Sequence, residues 1–218
     1  MPLVAVIGGL AGALVVGVIV SFTASASMAD AIASTGGSAA ILGIGLLIAQ
    51  RLPRHERRQL FAIKATPQAT LGMGITVGMG LLIASAIMIS VGTSLDPGLN
   101  ARVHNIASPL GPGVSGTLIT MFGVIVLAPL GEELVFRGVL LRGLVRRMSF
   151  WWAALAGAAI FGACHADVWI YLFWPRYLAL VGVGVGLAWL NRTRGYWCGV
   201  TAHATLNAVA TLALLLAH

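Results

Sequence analysis

Two adjacent carboxylates open the stretch Glu132-Glu133-Leu134-Val135-Phe136-Arg137-Gly138, which continues without a break from an apolar segment. Carboxylates are costly within a bilayer and are kept there when they pair or act on protons. Four residues apart on a helix, with the acid on the amino side, Glu133 and Arg137 share a face and can form an ion pair. Glu132 lies about 100° further round, with no cation in its own turn. One carboxylate is thereby held ionised and the other is free to exchange a proton. The competing reading is a solvated helix end at the membrane interface.

Two further polar placements stand out. His165 closes the run Phe161-Gly162-Ala163-Cys164-His165, and His203-Ala204-Thr205-Leu206-Asn207 sets an imidazole and a carboxamide four residues apart on one helix face. Pairs of the second kind also serve as hydrogen-bond partners between membrane helices. If the segments around Glu132 and His165 form a hairpin turning at Met148 and Ser149, each residue lies about 25 Å from the turn along its helix. Opposed at one depth, they could share a water. His203 is only about 12 Å beyond Gly195, which does not match that depth unless the 191–197 loop dips inward or the helices tilt. As a set, Glu132, Glu133, Arg137, His165, His203 and Asn207 supply a general base, imidazoles and oxyanion donors.

The elements that must position these groups are membrane helices. Of 218 residues, 59% are hydrophobic and 9% charged, and the mean hydropathy is +0.97, which excludes an ordinary soluble domain. Apolar windows predict an all-α, polytopic transmembrane bundle of about seven spans: Leu3–Phe22, Gly36–Ala49, Leu71–Val91, Gly116–Leu134, Phe150–His165, Tyr177–Leu190 and Gly199–Ala217. The whole chain, 1–218, reads as one membrane domain, with the motif-bearing helices in 116–217. The first span reads as a retained helix rather than a cleaved signal peptide, because no Lys or Arg precedes it.

The net charge of +7 comes from basic residues lying between apolar runs, which argues against nucleic acid as a partner. Arg51, Arg54, Arg57, Arg58 and Lys64 follow the second span, Arg142, Arg146 and Arg147 the fourth, and Arg192 and Arg194 the sixth. That asymmetry predicts all three loops on the cytoplasmic side, with a cytoplasmic amino terminus. The pairs Gly8 with Gly12 and Gly74 with Gly78 suit close helix contacts. Cys164 and Cys198 have neither disulfide nor metal-site spacing and read as small packing residues.

At three places the sequence resembles the CPBP (Abi) family, which includes type II CAAX prenyl endopeptidases and bacteriocin-processing proteases. Glu132, Glu133 and Arg137 match its EExxxR motif, Phe161 and His165 its FxxxH motif, and His203 and Asn207 its HxxxN motif, in that order. The resemblance covers about residues 131–207. It implies an intramembrane endopeptidase in a multi-pass cell-membrane protein, cleaving a membrane-associated or lipidated peptide or protein. Glu132 and His165 would activate a water, His203 and Asn207 would stabilise the oxyanion or complete the site, and Glu133 with Arg137 would support them. No obligatory cofactor is expected. Zinc held by Glu132, His165 and His203 is the alternative, although no H-E-x-x-H is present. The alternative function is a non-catalytic membrane scaffold or bacteriocin self-immunity protein.

Overall fold

Seven helices make up the described part of the chain in a computed structural model, which describes residues 27–99, 111–165, 168, 169 and 173–216. They are α1 (Met28–Gln50), α2 (Arg54–Leu60), α3 (Pro67–Leu95), α4 (Gly113–Leu144), α5 (Phe150–Ala163), α6 (Trp174–Arg194) and α7 (Tyr196–Leu216). No strand occurs among the described residues. Four helices, α1, α3, α4 and α7, are long and apolar enough to cross a membrane, and α5 is a shorter apolar helix. The predicted span Leu3–Phe22 and the pair Gly8 and Gly12 lie outside the described residues.

Local chemistry sets the helix ends. Ser27 and Asp30 form a reciprocal capping box at the start of α1: the Ser27 hydroxyl accepts from the Asp30 N–H at 3.2 Å, and the Asp30 carboxylate accepts from the Ser27 N–H at 2.9 Å. Thr66 caps α3 through the Ala69 N–H, with Pro67 at the first helical position, where its missing N–H costs nothing. The helices overrun the apolar windows: α4 extends ten residues past Leu134, to Leu144, and Arg137 and Arg142 are the charged residues in that extension. A span needs only about 20 residues, so this 32-residue helix projects beyond the hydrocarbon layer.

Helix α4 is not a uniform α-helix. It widens to π geometry at Gly123–Leu127 and again at Glu133–Leu140. The first widening lies just upstream of Pro129, whose ring has no N–H and crowds the carbonyl four residues back, so a wider turn relieves it. The second contains Glu133 and Arg137 themselves.

Small residues bring the helices together. A Cβ on Gly74 would stand 2.6 Å from Thr201, and one on Gly78 would stand 2.4 Å from the Ala202 carbonyl, so the predicted close contact at this pair is the α3–α7 crossing. Gly184 lets α6 approach Ala158 of α5 in the same way. Phe136 and Phe161, equally far from the Met148-Ser149 turn, meet edge to face at 5.2 Å, as the α4–α5 hairpin requires. Cys198 packs in the core with Leu187, Leu190 and Ala202, and Cys164 against the Phe136–Phe161 cluster; both are free thiols.

Large apolar side chains cover the outside, as lipid contact demands; Leu47, Ile83, Leu118 and Leu216 are all exposed. All six tryptophans are exposed, from 39% to 67%, and they sort to the bundle's two ends. Trp151, Trp152, Trp189 and Trp197 mark the end that carries the basic loops, and Trp169 and Trp174 the other, an arrangement typical of residues at a membrane–water interface. The three basic loops meet at one end: Arg146 pairs with both oxygens of Glu56 at 2.9 and 3.0 Å, and Lys64 donates to the Arg192 carbonyl at 3.1 Å.

Candidate active site

Glu133 is fully buried, and one of its oxygens organises the site. Its Oε1 lies 3.1 Å from Arg137 Nη1 and 3.1 Å from His203 Nδ1. Arg137, 3% exposed, also donates through Nη2 to the Gly184 carbonyl at 3.2 Å and rests its guanidinium on the Phe161 ring, 4.6 Å from the centroid. A fully buried carboxylate is tolerable when a cation and hydrogen-bond donors converge on it. Gly199 of α7 makes room for the other oxygen, since a Cβ there would stand 3.1 Å from Glu133 Oε2.

The carboxylate also fixes the imidazole. Glu133 can only accept, so His203 Nδ1 carries the proton and Nε2 faces away from it. That Nε2 lies 3.7 Å from Glu132 Oε2, too far for a direct hydrogen bond and close enough for a bridging water or substrate group. The Glu132 side chain is 17% exposed, against 0% for Glu133, so only one carboxylate of the pair is reachable. The sequence gives Glu132 no partner in its own turn; its partner comes from α7 instead.

His203 therefore sits at the level of the carboxylates, contrary to the depth mismatch expected from its distance to Gly195. The tight junction between α6 and α7 supplies the reason. Helices α6 and α7 are joined by Gly195 alone, at φ 92°, a left-handed conformation open to glycine. Gly195 and Tyr196 are both buried beneath the α2–α3 connection, where a Cβ on Gly195 would stand 3.3 Å from the Lys64 side chain, and the start of α7 is held against α4 by the Tyr196 hydroxyl donating to the Leu130 carbonyl at 2.8 Å. Two turns further on, His203 reaches Glu133.

His165 joins the group less directly. Its Nδ1 donates to the Phe161 carbonyl at 2.9 Å, which leaves Nε2 as the acceptor. The Phe161 ring lies between the two imidazoles, 4.9 Å from His165 and 6.0 Å from His203. Asn207 Nδ2 donates to the Val124 carbonyl at 2.9 Å, inside the first π segment of α4. It is thus a tie between α7 and α4, with one amide proton left over. Pro129, Gly184, Gly199 and Tyr196 position the site without appearing among the sequence candidates; the signal that could have flagged Pro129 is a proline inside an apolar span.

Among the described residues, no three His, Cys, Asp or Glu side chains are grouped to hold one metal ion.

Residues 114–209, just under half of the chain, match the family described as Rce1-like, type II CAAX prenyl endopeptidase. The chain is also 30% identical over 83 residues to a Bacillus subtilis (strain 168) protein named "Putative membrane peptidase YdiL", covering 38% of this chain and 32% of that protein. It thus spans about a third of that relative's length. No solved structure matches. The matched segment runs from the start of α4 to just past Asn207 and contains every motif residue. This multi-pass integral membrane protein is therefore similar, over its α4–α7 region, to the Rce1-like family and to a protein named as a membrane peptidase.

Proposed function

We propose that the protein is an intramembrane endopeptidase that hydrolyses a peptide bond of a membrane-associated or lipidated peptide or protein through a Glu/His-activated water. The observation that carries this reading is the division of labour between adjacent carboxylates: Glu133 buried and committed to Arg137 and His203, Glu132 reachable and 3.7 Å from His203 Nε2.

A water held near Glu132 and the His165 Nε2 acceptor gives its proton to Glu132 as its oxygen adds to the scissile carbonyl. The carbonyl π electrons move to oxygen. The free Asn207 amide proton, and His203 Nε2 when protonated, are the donors available to that oxyanion. Collapse of the intermediate breaks the C–N bond, and Glu132 returns its proton to the leaving amine. Glu133 and Arg137 act through His203 as positioning residues. The carboxyl product and the amine account for every atom of water and substrate, and no metal is required.

The test is cleavage of quenched peptide and lipopeptide substrates by the purified, detergent-solubilised protein, with and without a zinc chelator. Wild type should cleave, while Glu132→Ala and His165→Ala should lose about 10²–10⁴-fold in rate, the range for a general base. The chelator should have no effect. Equal turnover in all three proteins would refute the assignment of these residues. Loss on chelation with recovery on adding zinc would refute the metal-free mechanism.

A further inference from the structure

At the basic end of the bundle, a cavity of about 500 Å³ opens between the α2–α3 connection, α4, α5 and the α6–α7 junction. That volume lies within the range of small-molecule sites, roughly 300–1,000 Å³. Its polar lining includes Lys64, Arg137, Arg142, Arg192, Asn191 and Gln59. Arg137 already neutralises Glu133. The other three cations have no carboxylate at ion-pair distance among the described residues: Glu56, the acid of this end, spends both oxygens on Arg146. Lys64 has only the Arg192 carbonyl, Arg142 only the Glu56 carbonyl at 3.4 Å, and Arg192 the face of Phe150 at 4.2 Å. Asn191 Nδ2 is buried with no acceptor.

Three cations lining one cavity, with Glu56 committed to Arg146 at its edge and no carboxylate in the lining itself, describe a site for an anion. Its depth identifies the source. Phe150 and Tyr196 line the cavity, and the exposed Trp151, Trp152 and Trp197 directly follow them in sequence, so the cavity lies at the level where tryptophans mark the membrane–water interface. Phosphate groups of phospholipids occupy that level, and basic pockets between membrane helices bind such headgroups. We propose that this cavity binds the headgroup of an anionic phospholipid, with Lys64, Arg142 and Arg192 on the phosphate and the Asn191 amide donating to a headgroup oxygen. The site adjoins the Glu132–His203 cluster through Arg137 and does not depend on the proposed hydrolysis.

The experiment compares thermal midpoints and lipid retention by native mass spectrometry, in detergent containing phosphatidylglycerol, the same mole fraction of phosphatidylcholine, or inorganic phosphate. Wild type is set beside Lys64→Gln/Arg142→Gln/Arg192→Gln and beside Arg54→Gln/Arg58→Gln/Arg147→Gln, which removes as many charges from the same end outside the cavity. Phosphatidylglycerol should be retained and should raise the midpoint for wild type and the second triple variant. The cavity variant should bind about a hundredfold more weakly, at roughly fivefold per cation. Should that triple variant not fold, Arg142→Gln alone should weaken retention about fivefold. Equal response to the two lipids, or equal loss in both triple variants, would overturn the proposal. Inorganic phosphate acting as well as the lipid would assign the site to a free anion and overturn it too.

Discussion

Removing either partner of the Glu133–Arg137 pair separates two roles that wild type combines. In Arg137→Leu the fully buried Glu133 loses its cation, and in Glu133→Leu the 3%-exposed guanidinium keeps only the Gly184 carbonyl and aromatic faces. Breaking a buried pair in this way costs about 3–5 kcal/mol, roughly two to three and a half decades in an unfolding equilibrium. Replacing both partners by leucine leaves no stranded charge, and such exchanges are commonly neutral or stabilising. The double variant should therefore recover most of the stability lost by either single variant. Its activity should not recover, because Glu133 Oε1 also holds the His203 Nδ1 proton at 3.1 Å and leucine cannot. Denaturant midpoints in detergent, read beside turnover on the cleaved peptide, supply both axes. A double variant with wild-type turnover would refute the claim that Glu133 sets the His203 tautomer. Single variants as stable as wild type would refute the claim that the pair is buried and mutually dependent.

Two other outcomes follow from local contacts. Asn207→Ala removes the donor to the Val124 carbonyl and should destabilise by about 1–3 kcal/mol as well as slow turnover, whereas a pure oxyanion donor would affect turnover alone; the same paired assays distinguish them. Gly78→Ala puts a methyl 2.4 Å from the Ala202 carbonyl and should cost about 1–3 kcal/mol, while Gly80→Ala, with nothing within 4 Å, should be neutral or raise the thermal midpoint.

The helical architecture was legible because its signals are long: runs of apolar residues predict the helices α1 and α3 to α7, within a few residues at most ends, although only α1, α3, α4 and α7 of these are long and apolar enough to cross a membrane. The Glu133–Arg137 pair was legible because four-residue spacing is a local property of a helix, and it survives the π widening of the segment that contains it. The depth of His203 was not. It depends on how far Tyr196 sinks between α2 and α4, which is decided by the Leu130 carbonyl and by Phe61 packed edge-on at 5.3 Å, contacts made over sequence separations of 66 and 135 residues. The occupation of Asn207 by Val124 was hidden for a related reason: π segments free carbonyls that an ideal helix would satisfy internally, and apolar patterning carries no trace of them.

The single-residue connection at Gly195 turns α6 and α7, each 21 residues long, into a gauge for the reacting groups. Along α7 every residue adds about 1.5 Å of travel and 100° of rotation. One residue inserted between Tyr196 and His203 would therefore swing the imidazole off Glu133 altogether, while one inserted after Asn207 would only lengthen the far end of the helix. Tolerance to insertion along α7 is accordingly one-sided: the stretch from the junction to Asn207 is fixed in length by the carboxylates on α4, and the remainder answers only to the thickness of the membrane.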